Sequence, residues 1–270
     1  MRCPVVRKEQ EVTKLSTLAV AVALAAMALA AQASPILIVN GGSASSEPAT
    51  TGAVTTNLRT LHQAVGNAVT VMDSLPADLS GYGQVWDVRF NGGIDAAGAA
   101  TYRGFVQGGG GLFLMGENAS FMTRNNAILG LIASLGGGSL GFHDCGTNAQ
   151  VVHAPFTGPV SVSNVTYQGA GCFGGHGSGA WITSTANGVL GSGVAFGAGS
   201  LGQAGAGSLI AMLDVNFMMN QAAFPDSQRL TKNLIAYLGA APNPVPEPGS
   251  LALVGVAALA AGVMRRRRAS

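Results

Sequence analysis

The sequence predicts an α/β fold, with a mostly parallel sheet, helices on both faces and a Gly-rich β insertion. Three observations predict it. Short uncharged apolar runs stand at residues 36–39, 112–115 and 208–213, a length that suits strands buried on both faces. Segments of helical character alternate with the strands over the first hundred residues of the domain, and strand-helix alternation implies βαβ units. Residues 139–207 then abandon that alternation for Gly, Ser and Thr.

The elements follow in order. The run at 36–39 ends in Asn40-Gly41-Gly42. Apolar residues at 54, 58, 61 and 65 give a helix over 54–65, closed by Gly66. Strands are expected at 68–72, ending at Asp73, and at 84–88, with Asp87 near the end and a loop at 75–82 between them. A helix over 96–107 meets Gly108-Gly109-Gly110-Gly111, and the strand at 112–115 runs into a tight turn, Gly116-Glu117-Asn118. A helix over 125–135 is stopped by Gly136-Gly137-Gly138. Residues 139–207 read as an irregular insertion with hairpins, built on β-prone runs at 149–153, 160–165 and 189–196. The strand at 208–213 returns to the core, and Asp226 or Ser227 is placed to cap a last helix over 228–238, closed by Gly239. The domain is therefore expected at residues 34–240, followed by a Pro-rich linker and motif at 241–248.

Both ends carry targeting chemistry. Arg2, Arg7, Lys8 and Lys14 precede an uncharged apolar run over 15–31, which ends in Ala31-Gln32-Ala33. This is the layout of a secretory signal over 1–33, removed by signal peptidase, with Ser34 as the mature start. At the other end, Val245-Pro246-Glu247-Pro248 precedes sixteen uncharged residues, 249–264, and then Arg265, Arg266, Arg267 and Arg268 in a basic tail at 265–270. A helix of that length spans roughly 24 Å against about 30 Å of hydrocarbon, a marginal transmembrane segment whose arginines stay cytoplasmic.

Charge is uneven. Residues 35–248 hold six bases (Arg59, Arg89, Arg103, Arg124, Arg229, Lys232) and ten acids (Glu47, Asp73, Asp78, Asp87, Asp95, Glu117, Asp144, Asp214, Asp226, Glu247). The exported part is negative and lacks a basic patch interleaved with aromatics, which excludes nucleic-acid binding. Cys3 leaves with the signal. Cys145 and Cys172 remain, an even pair in an oxidising compartment, and a disulfide is the first reading. It would stabilise by roughly 3–4 kcal/mol in the chain-entropy model. The rival reading, a catalytic thiol, lacks a strand-to-helix elbow at either Cys. His143, Asp144, His153 and His176 match no compact zinc spacing, and no G-x-S-x-G turn joins a strand to a helix.

The order Val245-Pro246-Glu247-Pro248, apolar run, Arg265–Arg268 resembles the PEP-CTERM sorting signal over about the last 26 residues. That resemblance implies processing by an exosortase-type protease, transient tethering in the inner membrane, and release to the outer surface or an exopolysaccharide matrix, as in biofilms. The alternative is a permanent C-terminal membrane anchor.

The domain resembles the class I glutamine amidotransferase-like fold, a flavodoxin-like arrangement. The features that carry it are residues 36–42, Phe105-Val106-Gln107 with the Gly-rich run into 112–116, Ala211-Met212-Leu213-Asp214-Val215-Asn216-Phe217, and the final Asn233-Leu234-Ile235-Ala236-Tyr237-Leu238. In that family a nucleophilic Cys stands in the turn after a central strand, and a His-x-Glu pair follows a late strand. Here Glu117 stands at the Cys position, while Asp214 and Asn216 replace His and Glu, so glutaminase activity is not expected.

Asn40, Glu117, Asn118, Asp214 and Asn216, with Asp87 nearby, are then expected at the carboxyl ends of the strands, where open α/β sheets bind ligands. Their oxygens suit Ca²⁺ or sugar hydroxyls. Equally, they suit helix capping and loop hydrogen bonds. One functional expectation is a non-catalytic surface or matrix protein that binds polysaccharide, a surface partner or a cation. A second is an extracellular hydrolase of glycan or peptide with Glu117 and Asp214 as acid/base pair, for which Glu117→Gln would abolish turnover at nearly unchanged stability. A third is a purely structural component.

Overall fold

A computed structural model describes residues 35–240. The signal at 1–33, the sorting motif, the segment at 249–264 and the basic tail lie outside the described residues. The elements in chain order are β1 (Ile36–Val39), α1 (Pro48–Ala64), β2 (Val69–Met72), β3 (Gln84–Asp87), α2 (Ala96–Gln107), β4 (Gly111–Met115) and α3 (Met122–Ser134). There follow β5 (Phe142–Val152), β6 (Asn164–Phe173), β7 (Ala180–Ser184), β8 (Gly193–Phe196), β9 (Ser208–Met212) and α4 (Pro225–Gly239). No helix among the described residues is long and apolar enough to cross a membrane.

All nine strands form one sheet in the order β2-β1-β3-β4-β9-β8-β7-β5-β6. The first five are parallel, in register Ile36↔Val69, Ile36↔Gln84, Gln84↔Gly111 and Gly111↔Ser208. From β9 onward every pairing is antiparallel. The sheet is therefore mixed rather than mostly parallel. Residues 139–207 are not an irregular insertion, because their four strands continue the same sheet. β5 and β6 escape a sequence reading because Gly, Asn and Asp interrupt them, and their ladder shifts register between Asp144 and Asn148. Bulges of that kind bend a strand and increase its twist.

Side chains alternate across the buried strands as the pleat requires. Ile36, Ile38, Trp86, Phe113, Ile210 and Met212 face one core with Val54 and Leu58 of α1 and Leu230 and Leu234 of α4. Leu37, Val39, Val85, Leu112, Leu114 and Ala211 face the other with Tyr102 and Val106 of α2 and Ile128 and Ile132 of α3. Helices on both faces are thus observed. In the first core Trp86 stacks on Phe113 at 4.7 Å between ring centres, and buried His62 meets Trp86 edge-on at 5.1 Å.

α2 spans the residues expected for it, whereas α1, α3 and α4 begin earlier than their apolar periodicity suggests. α1 and α4 each have Pro in the first turn, where its missing N–H costs nothing. Neither Asp226 nor Ser227 caps α4: Phe224 holds the N-cap position and Asp226 sits in the first turn.

Candidate functional site

The sharp turn after β4 is built around Glu117. Gly116 must be small there, since a Cβ would lie 2.5 Å from Leu213 Cδ2 and 2.7 Å from Asn125 Oδ1. Asn125 of α3 clamps the turn: its Oδ1 accepts from Glu117 N at 3.0 Å, and its Nδ2 donates to Glu117 O at 2.8 Å and Asn118 O at 3.1 Å. Asn118 Oδ1 accepts from Ser120 N at 3.0 Å, capping the short 3₁₀ turn that leads into α3.

The carboxylate of Glu117 reaches across to the turn after β9. Its Oε2 accepts from Val215 N at 2.7 Å and its Oε1 from Asn118 N at 3.0 Å. Asp214 Oδ1 accepts from Asn216 N at 2.8 Å and Phe217 N at 3.2 Å, while Oδ2 accepts from Gln168 N at 2.7 Å. Five backbone N–H groups therefore occupy all four carboxylate oxygens. Glu117 is 3% exposed and Asp214 0%. Burial pushes the Glu117 carboxyl up to about 8, with Asp214 adding and the bonds from Val215 and Asn118 opposing. Burial likewise raises Asp214 to about 6 against its three backbone bonds.

Strand β6 covers this pair. Besides Gln168 N on Asp214, Gly171 N donates to Leu213 O at 2.9 Å, and a Cβ at Gly171 would lie 2.7 Å from Glu117 O. The antiparallel half of the sheet thus curls back over the carboxyl ends of β4 and β9, where an open α/β sheet receives its ligand. The hairpin is clipped by the expected disulfide, Cys145–Cys172, with Cα atoms 5.7 Å apart.

Glu117, Asn118, Asp214 and Asn216 lie in these two adjacent turns. Asn40 does not, because β3 separates its strand from β4. Its Oδ1 accepts from Gly42 N at 2.9 Å, a local turn. On this geometry Glu117→Gln is expected to cost stability rather than leave it nearly unchanged. A Gln amide would point N–H at Val215 or Asn118 N–H, an unsatisfied pairing worth about 1–3 kcal/mol. No group of three or more His, Cys, Asp or Glu among the described residues is placed to hold a metal ion. His153 Nε2 instead pairs with Ser184 Oγ at 2.8 Å.

One buried polar cluster was only half visible in the sequence. Asp87, at the carboxyl end of β3, is 0% exposed and binds Arg89 through both oxygens at 2.8 Å and Tyr102 Oη at 2.6 Å. Arg124, 1% exposed, lies 3.0 Å from Asp87 Oδ2 as a charge contact without an aligned hydrogen bond, and its Nε donates to Met115 O at 2.8 Å. Burial works against ionisation of Asp87, but Arg124 and then Arg89 outweigh it and hold the carboxyl at about 2. Asp87 was legible from its place at a strand end. Arg124 and Tyr102 arrive from helices, and nothing in their local sequence marks them.

These features define an α/β domain whose usual ligand position is filled by its own chain. Residues 244–268 match the family model of the PEP-CTERM protein-sorting motif, which supports an exported protein processed by exosortase and sorted toward the cell surface. No curated protein matches the chain. Among solved structures, the N-terminal domain of mmIFT52 is similar at TM-score 0.55 and 10% identity, over 77% of this chain and 98% of that one. A putative ThuA-like protein from Bacteroides uniformis is similar at TM-score 0.50 and 12% identity, over 75% of this chain and 89% of that one. The exo-β-1,4-mannosidase Op5Man5 from Opitutaceae bacterium strain TAV5 is similar at TM-score 0.50 and 13% identity, over 75% of this chain but 35% of that one. At these identities the likeness is one of fold.

Proposed function

We propose that this chain is a non-catalytic binding or structural module, on a degenerate amidotransferase-like scaffold, sorted to the cell surface or the exopolysaccharide matrix. The observation that carries the non-catalytic part is the pair Glu117 and Asp214. The resemblance puts them at the nucleophile and base positions of that family, and backbone N–H groups donate to all four of their oxygens. A general base must reach the proton it abstracts, and here each carboxylate oxygen already accepts a backbone N–H on side chains 3% and 0% exposed. The sorting motif at 244–268 supports the location. The test is fractionation of native cells combined with a broad glycan and peptide turnover panel. Matrix or surface association without turnover is expected. A freely diffusing protein with hydrolase activity overturns the reading.

A second reading keeps Glu117 and Asp214 as an acid/base pair of an extracellular hydrolase. It is favoured by carboxyls raised to about 8 and about 6, which would leave a proton donor beside a carboxylate near neutral pH. It requires β6 to lift. Turnover by the wild type that vanishes in folded Glu117→Gln would establish it. A Ca²⁺ ion at the same turns would have to displace the five backbone donors, so calcium chloride should leave the thermal unfolding midpoint unmoved.

A further inference from the structure

A second concavity lies outside this pair, on the face covered by α1. It is a cleft of about 420 Å³, lined by Gly52, Thr56, Asn57, Met219, Asn220 and Gln228 among others, with no charged residue in its lining. That volume falls within the roughly 300–1,000 Å³ of small-molecule sites. We propose that this cleft binds an uncharged carbohydrate chain; the inference rests on the reading of the protein as a surface or matrix module.

Three features carry it. The first is a fixed amide floor. Asn57 Nδ2 donates to Met218 O and to Gln228 Oε1, both at 2.8 Å, and Gln228 Nε2 donates back to Asn57 Oδ1 at 2.7 Å. These bonds use both N–H groups of Asn57. Gln228 keeps one N–H and one acceptor lone pair on a side chain that cannot rotate without breaking the pair. A donor and an acceptor held on one fixed amide suit hydrogen bonds with sugar hydroxyls, which both donate and accept.

The second is Gly52. It lies within α1, its φ is not positive, and a Cβ there would meet nothing within 4 Å. Neither backbone conformation nor packing requires glycine, which costs a helix about 0.5–1 kcal/mol relative to Ala. What it provides is an open wall of the cleft. The third is Asn220 at the rim, exposed and at φ 55, the one non-glycine residue with positive φ among the described residues. Asn adopts this left-handed conformation readily, and the residue adds an exposed amide to the lining. An anionic ligand would find no counter-charge in this cleft, whereas amides and a Thr hydroxyl suit a neutral polyhydroxyl chain.

The test uses the mature protein in affinity gel electrophoresis with dextran, galactomannan and mixed-linkage glucan as neutral probes and alginate as the acidic one. Gly52→Phe projects a ring into the cleft from a position with no neighbours, and Gly52→Ala adds only a methyl group as folding control. Retardation by at least one neutral polymer is expected. Gly52→Phe should weaken it about tenfold or more at an unchanged or raised urea midpoint, with Gly52→Ala binding like the wild type. Neutral binding that survives Gly52→Phe places the sugar elsewhere and overturns the cleft while leaving the surface-binding reading intact. Retardation by alginate alone overturns the uncharged class. No retardation by any of the four polymers overturns this inference and removes polysaccharide from the proposed function.

Discussion

The proton held by Glu117 gives the fold a pH dependence that can be worked out in advance. Burial first, then Asp214 and Glu47, raise this carboxyl from 4.5 to about 8 in the folded chain. A group with a raised folded pKa contributes stability that is complete below its unfolded pKa and is lost as pH rises through the folded one. Asp214 acts in the same direction, between 3.8 and about 6. His62 acts in the opposite direction, because burial lowers it from 6.5 to about 4, so its contribution is lost as pH falls through that range. The effects of His62 and Asp214 overlap with that of Glu117 below 6.5. Above it Glu117 alone of the three sets the slope. One proton is worth about 1.36 kcal/mol per pH unit, so stability should fall by about 2 kcal/mol between about pH 6.5 and 9. Urea unfolding of the exported domain at steps across that range reads this directly. The wild type should lose stability as pH rises, and Glu117→Gln, which cannot ionise, should be less stable than the wild type at pH 6.5 but flat. A flat or rising wild-type profile, or a Gln variant that keeps the slope, would refute the placement of Glu117.

Other predictions follow from the same geometry. Arg124→Ala leaves Asp87 buried with one cation fewer and should cost about 3–5 kcal/mol in urea unfolding. It should also raise the acid unfolding midpoint, since Asp87 contributes stability that is lost as pH falls from 3.8 to about 2. Reducing Cys145–Cys172, or replacing both by Ser, frees the hairpin that seals the strand ends and should cost about 3 kcal/mol. Hydrogen exchange at Gln168 and Gly171 should speed up more than exchange at β1. Gly171→Val places atoms against Glu117 O and should prevent β6 from docking, seen as faster exchange at Val215 and Asn118.

The parallel half of the fold was legible because its strands are short and mostly buried, with β1 and β4 wholly apolar. Ile36–Val39 and Ser208–Met212 have every residue buried, so their sequence carries one unambiguous signal. The antiparallel half was not. β5 has most of its residues partly or fully exposed, and its strand begins seven residues before the β-prone run at 149–153. In β6, Gly171 looks like a strand breaker, but its missing side chain is what lets the strand lie against Glu117 O. Glu117 and Asp214 could be found from their places after buried strands. Their actual partners could not, because Gln168 approaches Asp214 from 46 residues away, and the Asn57–Gln228 pair spans 171. Long-range hydrogen bonds leave no periodicity to read.

Intact mass measured on native protein from each cell fraction reads both the location of the protein and the fate of its tail. The expected species begins near Ser34, ends near Val245-Pro246-Glu247-Pro248, and is enriched at the outer surface or in the matrix. A species that keeps Arg265–Arg268 and stays in the inner membrane would contradict that expectation.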